Sequence, residues 1–156
     1  MPVLRVFRVM GIFQVMSISV KNKISIPLLA GDFLVLLLFV FVGQRDHEMN
    51  IVGSLPSLFT TTLAVALPWA VAAWLMGVLR LPEPGERWAW LARVAATWLI
   101  AAPLGLLLRA TLRDQATIMV VFMKVLLSLG GLTVLVWRAA VAWWVERRRA
   151  AVARQA

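Results

Sequence analysis

Apolar residues along this chain gather into long blocks separated by short polar stretches. The first block, Ile24–Val42, ends in the unbroken run LVLLLFVFV from Leu34 to Val42. The second, Leu55–Leu79, carries no charge. Trp88–Leu108 and Thr117–Val145 follow. Each is near or above the ~20 residues an α-helix needs to cross ~30 Å of hydrocarbon. Polar connections lie between them: GQRDHEMNIVG at Gly43–Gly53, RLPEPGER at Arg80–Arg87 and RATLRDQA at Arg109–Ala116. The pattern predicts an all-α, polytopic membrane protein with four transmembrane helices at 24–42, 55–79, 88–108 and 117–145. Pro27 and Pro56 fall in first turns, where a missing N–H costs little, and Ser54 offers a cap to the second helix. Pro68 and Pro103 fall within spans and predict kinks. The carbonyl freed by Pro68 needs Thr60, Thr61, Thr62 or a neighbouring helix as a partner.

Residues 1–23 do not continue the pattern. Arg5 and Arg8 precede a modest apolar run, Val9–Val20, broken by Gln14, Ser17 and Ser19. This has the outline of a weak signal peptide, but Lys21 and Lys23 follow in place of a small-residue cleavage site. The stretch reads as a surface-lying segment or as an over-long start before the true initiator. Residues 146–156 read as a basic tail with Arg147, Arg148, Arg149 and Arg154.

Composition agrees with the blocks. The chain is 62% hydrophobic and 15% charged, with a mean hydropathy of +0.89, whereas soluble domains are about half apolar and about a quarter charged. A net charge of +9 would suggest nucleic acid on a soluble protein. Here the basic residues flank the apolar blocks, so they read as determinants of orientation, and no nucleic-acid partner is expected. Of the 16 Lys and Arg residues, 11 fall with the N-terminus, the Arg80–Arg87 loop and the C-terminus. These are Arg5, Arg8, Lys21, Lys23, Arg80, Arg87, Arg138 and the four tail arginines. Only Arg45, Arg109 and Arg113 fall on the other side, while Arg93 and Lys124 lie within spans. This bias predicts a multi-pass protein of the cytoplasmic (inner) membrane with both termini cytoplasmic. Trp88, Trp90, Trp143 and Trp144 sit where an interfacial aromatic belt belongs on that side. Cysteine is absent and His47 is the only histidine. Disulfides, thiolate metal sites and histidine-rich metal sites are thereby excluded, and no cofactor or metal is expected.

Few residues carry chemistry. Asp32 lies in the first span, where a carboxylate costs of order 3 kcal/mol to insert and is too short to reach the headgroups. It is a proton or cation site in the bundle, a structural ion pair, or a shallow residue. Arg93, about five residues into the third span, is its natural partner; alternatively Arg93 extends to the headgroups. Lys124 and Arg138 bracket the apolar stretch Val125–Trp137, and both are expected to reach towards opposite interfaces. Arg45, Asp46, His47 and Glu48 form a polar cluster in the outer loop, which Arg109 and Arg113 can answer across the same face. Its spacing matches no standard zinc or calcium site. Gly130–Gly131, Ala92 and Ala96 permit close helix approach. No nucleophile elbow, phosphate loop or intramembrane carboxylate pair is present, so no enzymatic activity is expected.

The segment GDFLVLLLFVFVGQRDHE, Gly31–Glu48, resembles a small prokaryotic membrane family known as domain of unknown function 3054. The resemblance spans about Ala30–Val145. It rests on Asp32 early in the first span, Gly43, Arg45 and His47 just after it, and Arg109 closing the third span as GLLLR. It implies a polytopic membrane protein and no particular reaction, and it singles out Asp32, Arg45, His47 and Arg109 as a set. Two functions stay open. One is a small proton- or ion-coupled transporter or channel, working as an oligomer with Asp32 as coupling site, which resembles the small multidrug transporters in outline. The other is a non-catalytic accessory subunit packed against other membrane proteins. Lipid is the expected partner in both, with a second copy or other membrane subunits beside it.

Overall fold

The computed structural model describes residues 25–45, 51–112 and 120–155. It places α1 at Ile26–Arg45, α2 at Ile51–Leu75, α3 at Arg87–Leu112, α4 at Val120–Val125 and α5 at Gly131–Ala153. A π-helical turn, Leu126–Gly130, joins α4 to α5. The last three pieces form one continuous span of 34 residues, Val120–Ala153. Four helices are therefore long and apolar enough to cross a membrane. No strand occurs among the described residues. The 20 residues of α1 rise roughly 30 Å, one hydrocarbon thickness.

Local signals set the helix ends. The Ser25 carbonyl accepts from the Leu28 and Leu29 amides at 3.0 and 3.2 Å, which starts α1. The second helix stops at Leu75 rather than running to Leu79 as the hydropathy block does. Gly77 adopts φ +68°. Its amide donates to Trp74 O and the Val78 amide to Ala73 O, at 3.1 and 3.0 Å. This is the paired hydrogen-bond pattern of a glycine-terminated helix, which apolar content cannot override. In contrast, the stretch read as a tail continues α5 to Ala153. Alanine and arginine are strong helix formers, and Arg149 Nη1 donates to Pro82 O at 2.9 Å, which fastens this end to the α2–α3 turn.

Around the bundle the order is α1, α2, α3, α5, with the most extensive pairing between α2 and α3. Gly105 makes that pairing possible: a Cβ there would lie 3.0 Å from Val65 Cα and 3.2 Å from Ala64 O. Ala64 O is the carbonyl that Pro68 deprives of its helical donor, so the neighbouring backbone covers the weak point in α2. Pro68 and Pro103 both remain inside continuous helices. Leu36, Val65, Trp69, Ala73, Val94, Ala101, Leu126 and Val134 fill the interior, while Leu38, Val71, Leu99, Leu104 and Val136 are exposed on the perimeter. An apolar perimeter around an apolar interior suits lipid rather than water as solvent. The N-terminal extension, residues 1–23, lies outside the described residues.

Candidate functional site: a buried ion pair

Each of two helices carries a charged residue on its inward stripe. In α1 the buried residues are Leu28, Asp32, Leu36 and Val40, four apart along one face. In α5 they are Gly131, Val134, Arg138 and Ala142. These stripes face each other, and Asp32 meets Arg138. Arg138 Nε donates to Asp32 Oδ1 at 2.9 Å, and Nη2 donates to Oδ2. Both side chains are 0% exposed. The third helix of the knot is α2, whose Trp69 Nε1 donates to Asp32 Oδ2 at 3.0 Å. Arg138 Nη1 donates to Val78 O, a carbonyl of the turn that follows α2. The Arg138 guanidinium carbon also lies 5.6 Å from the Trp69 ring centroid and 5.4 Å from that of Trp90 on α3. All four spans thus converge on one forked, charge-assisted contact, the geometry for which arginine is better suited than lysine.

This corrects two expectations. Asp32 pairs with Arg138, not Arg93. Arg93 instead approaches Glu86 at 3.9 Å, with side chains 52% and 58% exposed. It lies next to Val94 but off the buried face that Trp90, Val94, Thr97 and Trp98 define. Arg138 does not reach for the interface, because its backbone sits on the core stripe four residues from Val134 and from Ala142, so its side chain starts out facing α1. Lys124 is exposed.

A second polar contact stabilises the π-helical turn. A π turn shifts the i→i+4 ladder and leaves a carbonyl to be met from elsewhere. Trp98 Nε1 donates to Leu127 O at 3.2 Å. Gly130 and Gly131 let the indole approach: a Cβ at Gly131 would lie 2.8 Å from Trp98 Cδ1. Trp98 meets Trp69 edge-to-face, centroids 5.6 Å apart, which joins the turn to the ion pair. The indole nitrogens of Trp90 and Trp137 and the Thr62 hydroxyl are buried without a hydrogen-bond partner.

At the opposite end, Arg45 closes α1 and is exposed, and Gln44 Nε2 donates to Ser57 Oγ at 3.3 Å. Arg109, in the last turn of α3, places its guanidinium carbon 4.3 Å from the Phe122 ring centroid. Asp46, His47, Glu48 and Arg113, the rest of the expected outer cluster, lie outside the described residues. No group of three or more metal-ligating side chains occurs among the described residues.

The family model described as "Protein of unknown function (DUF3054)" matches residues 29–141, which include every residue of the knot. The chain belongs to the DUF3054 family. Neither a curated protein nor a solved structure matches it. For this DUF3054 chain, hydropathy points to Asp32 but assigns Arg138 and Trp90 to an interface, whereas both are buried, and it passes over Trp69. One signal was available: Gly130–Gly131 mark a packing face, and Arg138 lies two helical turns along that face.

Proposed function

We propose that this membrane protein is a non-catalytic subunit that packs against other membrane proteins, with the Asp32–Arg138 knot as a structural clamp. One observation carries this reading: both Asp32 oxygens are engaged, by Arg138 and Trp69, in a site with 0% exposure. A proton-coupled transporter, the other function the sequence suggests, needs an acid that water or substrate can reach. A groove beside the knot, about 350 Å³, lies between α1 and α2 and is lined by Leu29, Phe33, Leu63, Leu67 and Trp69. Its apolar walls provide no polar path to Asp32. In this reading both termini face the cytoplasm of a cell's inner membrane, consistent with the distribution of basic residues.

The test compares Asp32→Asn with the double apolar replacement Asp32→Leu/Arg138→Met. A clamp predicts that the single change destabilises the bundle and that the double change largely restores it, because a buried ion pair and an apolar pair of like volume are often near break-even. The doubly changed chain should still migrate with its larger assembly in mild detergent. Proton-coupled flux in vesicles of wild-type protein, abolished by both changes, would overturn the proposal.

A further inference from the structure

We propose that the end of the bundle where α3 begins and α5 ends binds the headgroups of anionic phospholipids. On α5, Trp143 and Trp144 are adjacent and exposed, at 49% and 50%. Each is covered by the arginine one helical turn later. The Arg147 guanidinium carbon lies 3.8 Å from the Trp143 centroid, and that of Arg148 lies 4.0 Å from Trp144. Side chains on a helix lean towards its N-terminus, so both arginines fold back onto the rings instead of extending away from the bundle. On α3, Arg87 stands 5.1 Å from the ring of Trp88, which is 70% exposed. Arg87 Nη1 also donates to Glu146 Oε2 at 3.1 Å, joining the two helices into one rim.

A guanidinium stacked on an indole spends its flat face and keeps its in-plane N–H groups. Those edges form the fork that matches a phosphate. Much of the cost of ordering a long side chain is already met by the stack. Three arginines against Glu146 leave this rim positive.

The surface beneath the rim favours a lipid over a free anion. Leu132, Val136, Ala140, Trp143 and Arg147 are all exposed, and their spacing of three and four puts them on one face of α5. Leu132 to Arg147 spans roughly 22 Å along the axis, enough for the acyl chains of one leaflet below the headgroup. A phospholipid lying on this face would place its chains along Leu132 and Val136 and its phosphate at Arg147. Inorganic phosphate would use only the upper half.

The experiment uses the full chain in phosphatidylcholine vesicles containing a minority of phosphatidylglycerol, with lipids retained on extraction counted by native mass spectrometry. The wild-type chain should retain phosphatidylglycerol preferentially. Arg147→Gln/Arg148→Gln should reduce that preference by about fivefold per arginine, with the thermal midpoint unchanged because both residues are exposed. Arg147→Lys/Arg148→Lys should fall between them, since charge persists while the fork and stack are lost. Inorganic phosphate should displace no more lipid than chloride at equal ionic strength. An absent preference in wild type, a preference that survives the glutamine changes, a lysine variant equal to wild type, or specific displacement by inorganic phosphate would each overturn the proposal.

Discussion

Arg138 and Arg93 both lie within apolar helices on the half of the bundle that carries the α2–α3 turn, yet they do opposite work. Arg138 is enclosed by four helices and holds a carboxylate, two indole rings and a backbone carbonyl. Arg93 stands on the perimeter with a loose partner at 3.9 Å. The difference is one of helical face, not of side-chain chemistry. An arginine on the inward stripe becomes a crosslink between first and last spans; an arginine beside that stripe extends to the surface. Hydropathy treats the two alike.

The comparison can be broken most directly at Arg138. Arg138→Gln leaves Asp32 buried without its counter-charge, and loss of one partner of such a pair costs about 3–5 kcal/mol. Thermal unfolding in detergent should register this as a large drop in midpoint or a failure to accumulate folded protein. Trp69→Phe keeps the ring and removes the N–H to Asp32, a hydrogen bond to a charged group worth about 1.5–3 kcal/mol; chemical unfolding in mixed micelles should place it second. Trp98→Phe removes only the donor to Leu127 O, worth about 1 kcal/mol, and amide exchange around residues 126–130 should quicken while exchange around Asp32 stays slow. Arg93→Gln should change stability by under about 0.5 kcal/mol. If Arg93→Gln proved as damaging as Arg138→Gln, the distinction between the two faces would be lost.

Much of this architecture is legible in the blocks of apolar residues, because bilayer thickness imposes a minimum length that composition reveals directly. All four spans appear, and Asp32 stands out as a carboxylate with no route to water. The partner does not stand out. In a soluble helix a polar face identifies the buried one, but here lipid and protein interior are equally apolar, so α1 and α5 look alike on every side. Arg93 reads as the natural partner because it lies about five residues into the third span with a side chain long enough to adjust its depth. The π-helical turn is equally hidden, since it depends on Trp98 meeting Leu127 O from a different helix. Gly77 was readable in principle; its effect on the end of α2 was masked by the apolar residues Val78 and Leu79.

The Asp32–Arg138 contact closes a separation of 106 residues. A ribosome making roughly 5–20 residues per second needs roughly 5–20 s to travel that far. For much of that interval the first helix has left the exit tunnel while its counter-charge does not yet exist. Keeping α1 beside the insertion machinery, or in contact with water, until the final helix emerges avoids the cost of burying that acid alone. A product cut short before α5 would keep that uncompensated acid permanently, and pulse-chase labelling should show it removed from the membrane much faster than the complete chain.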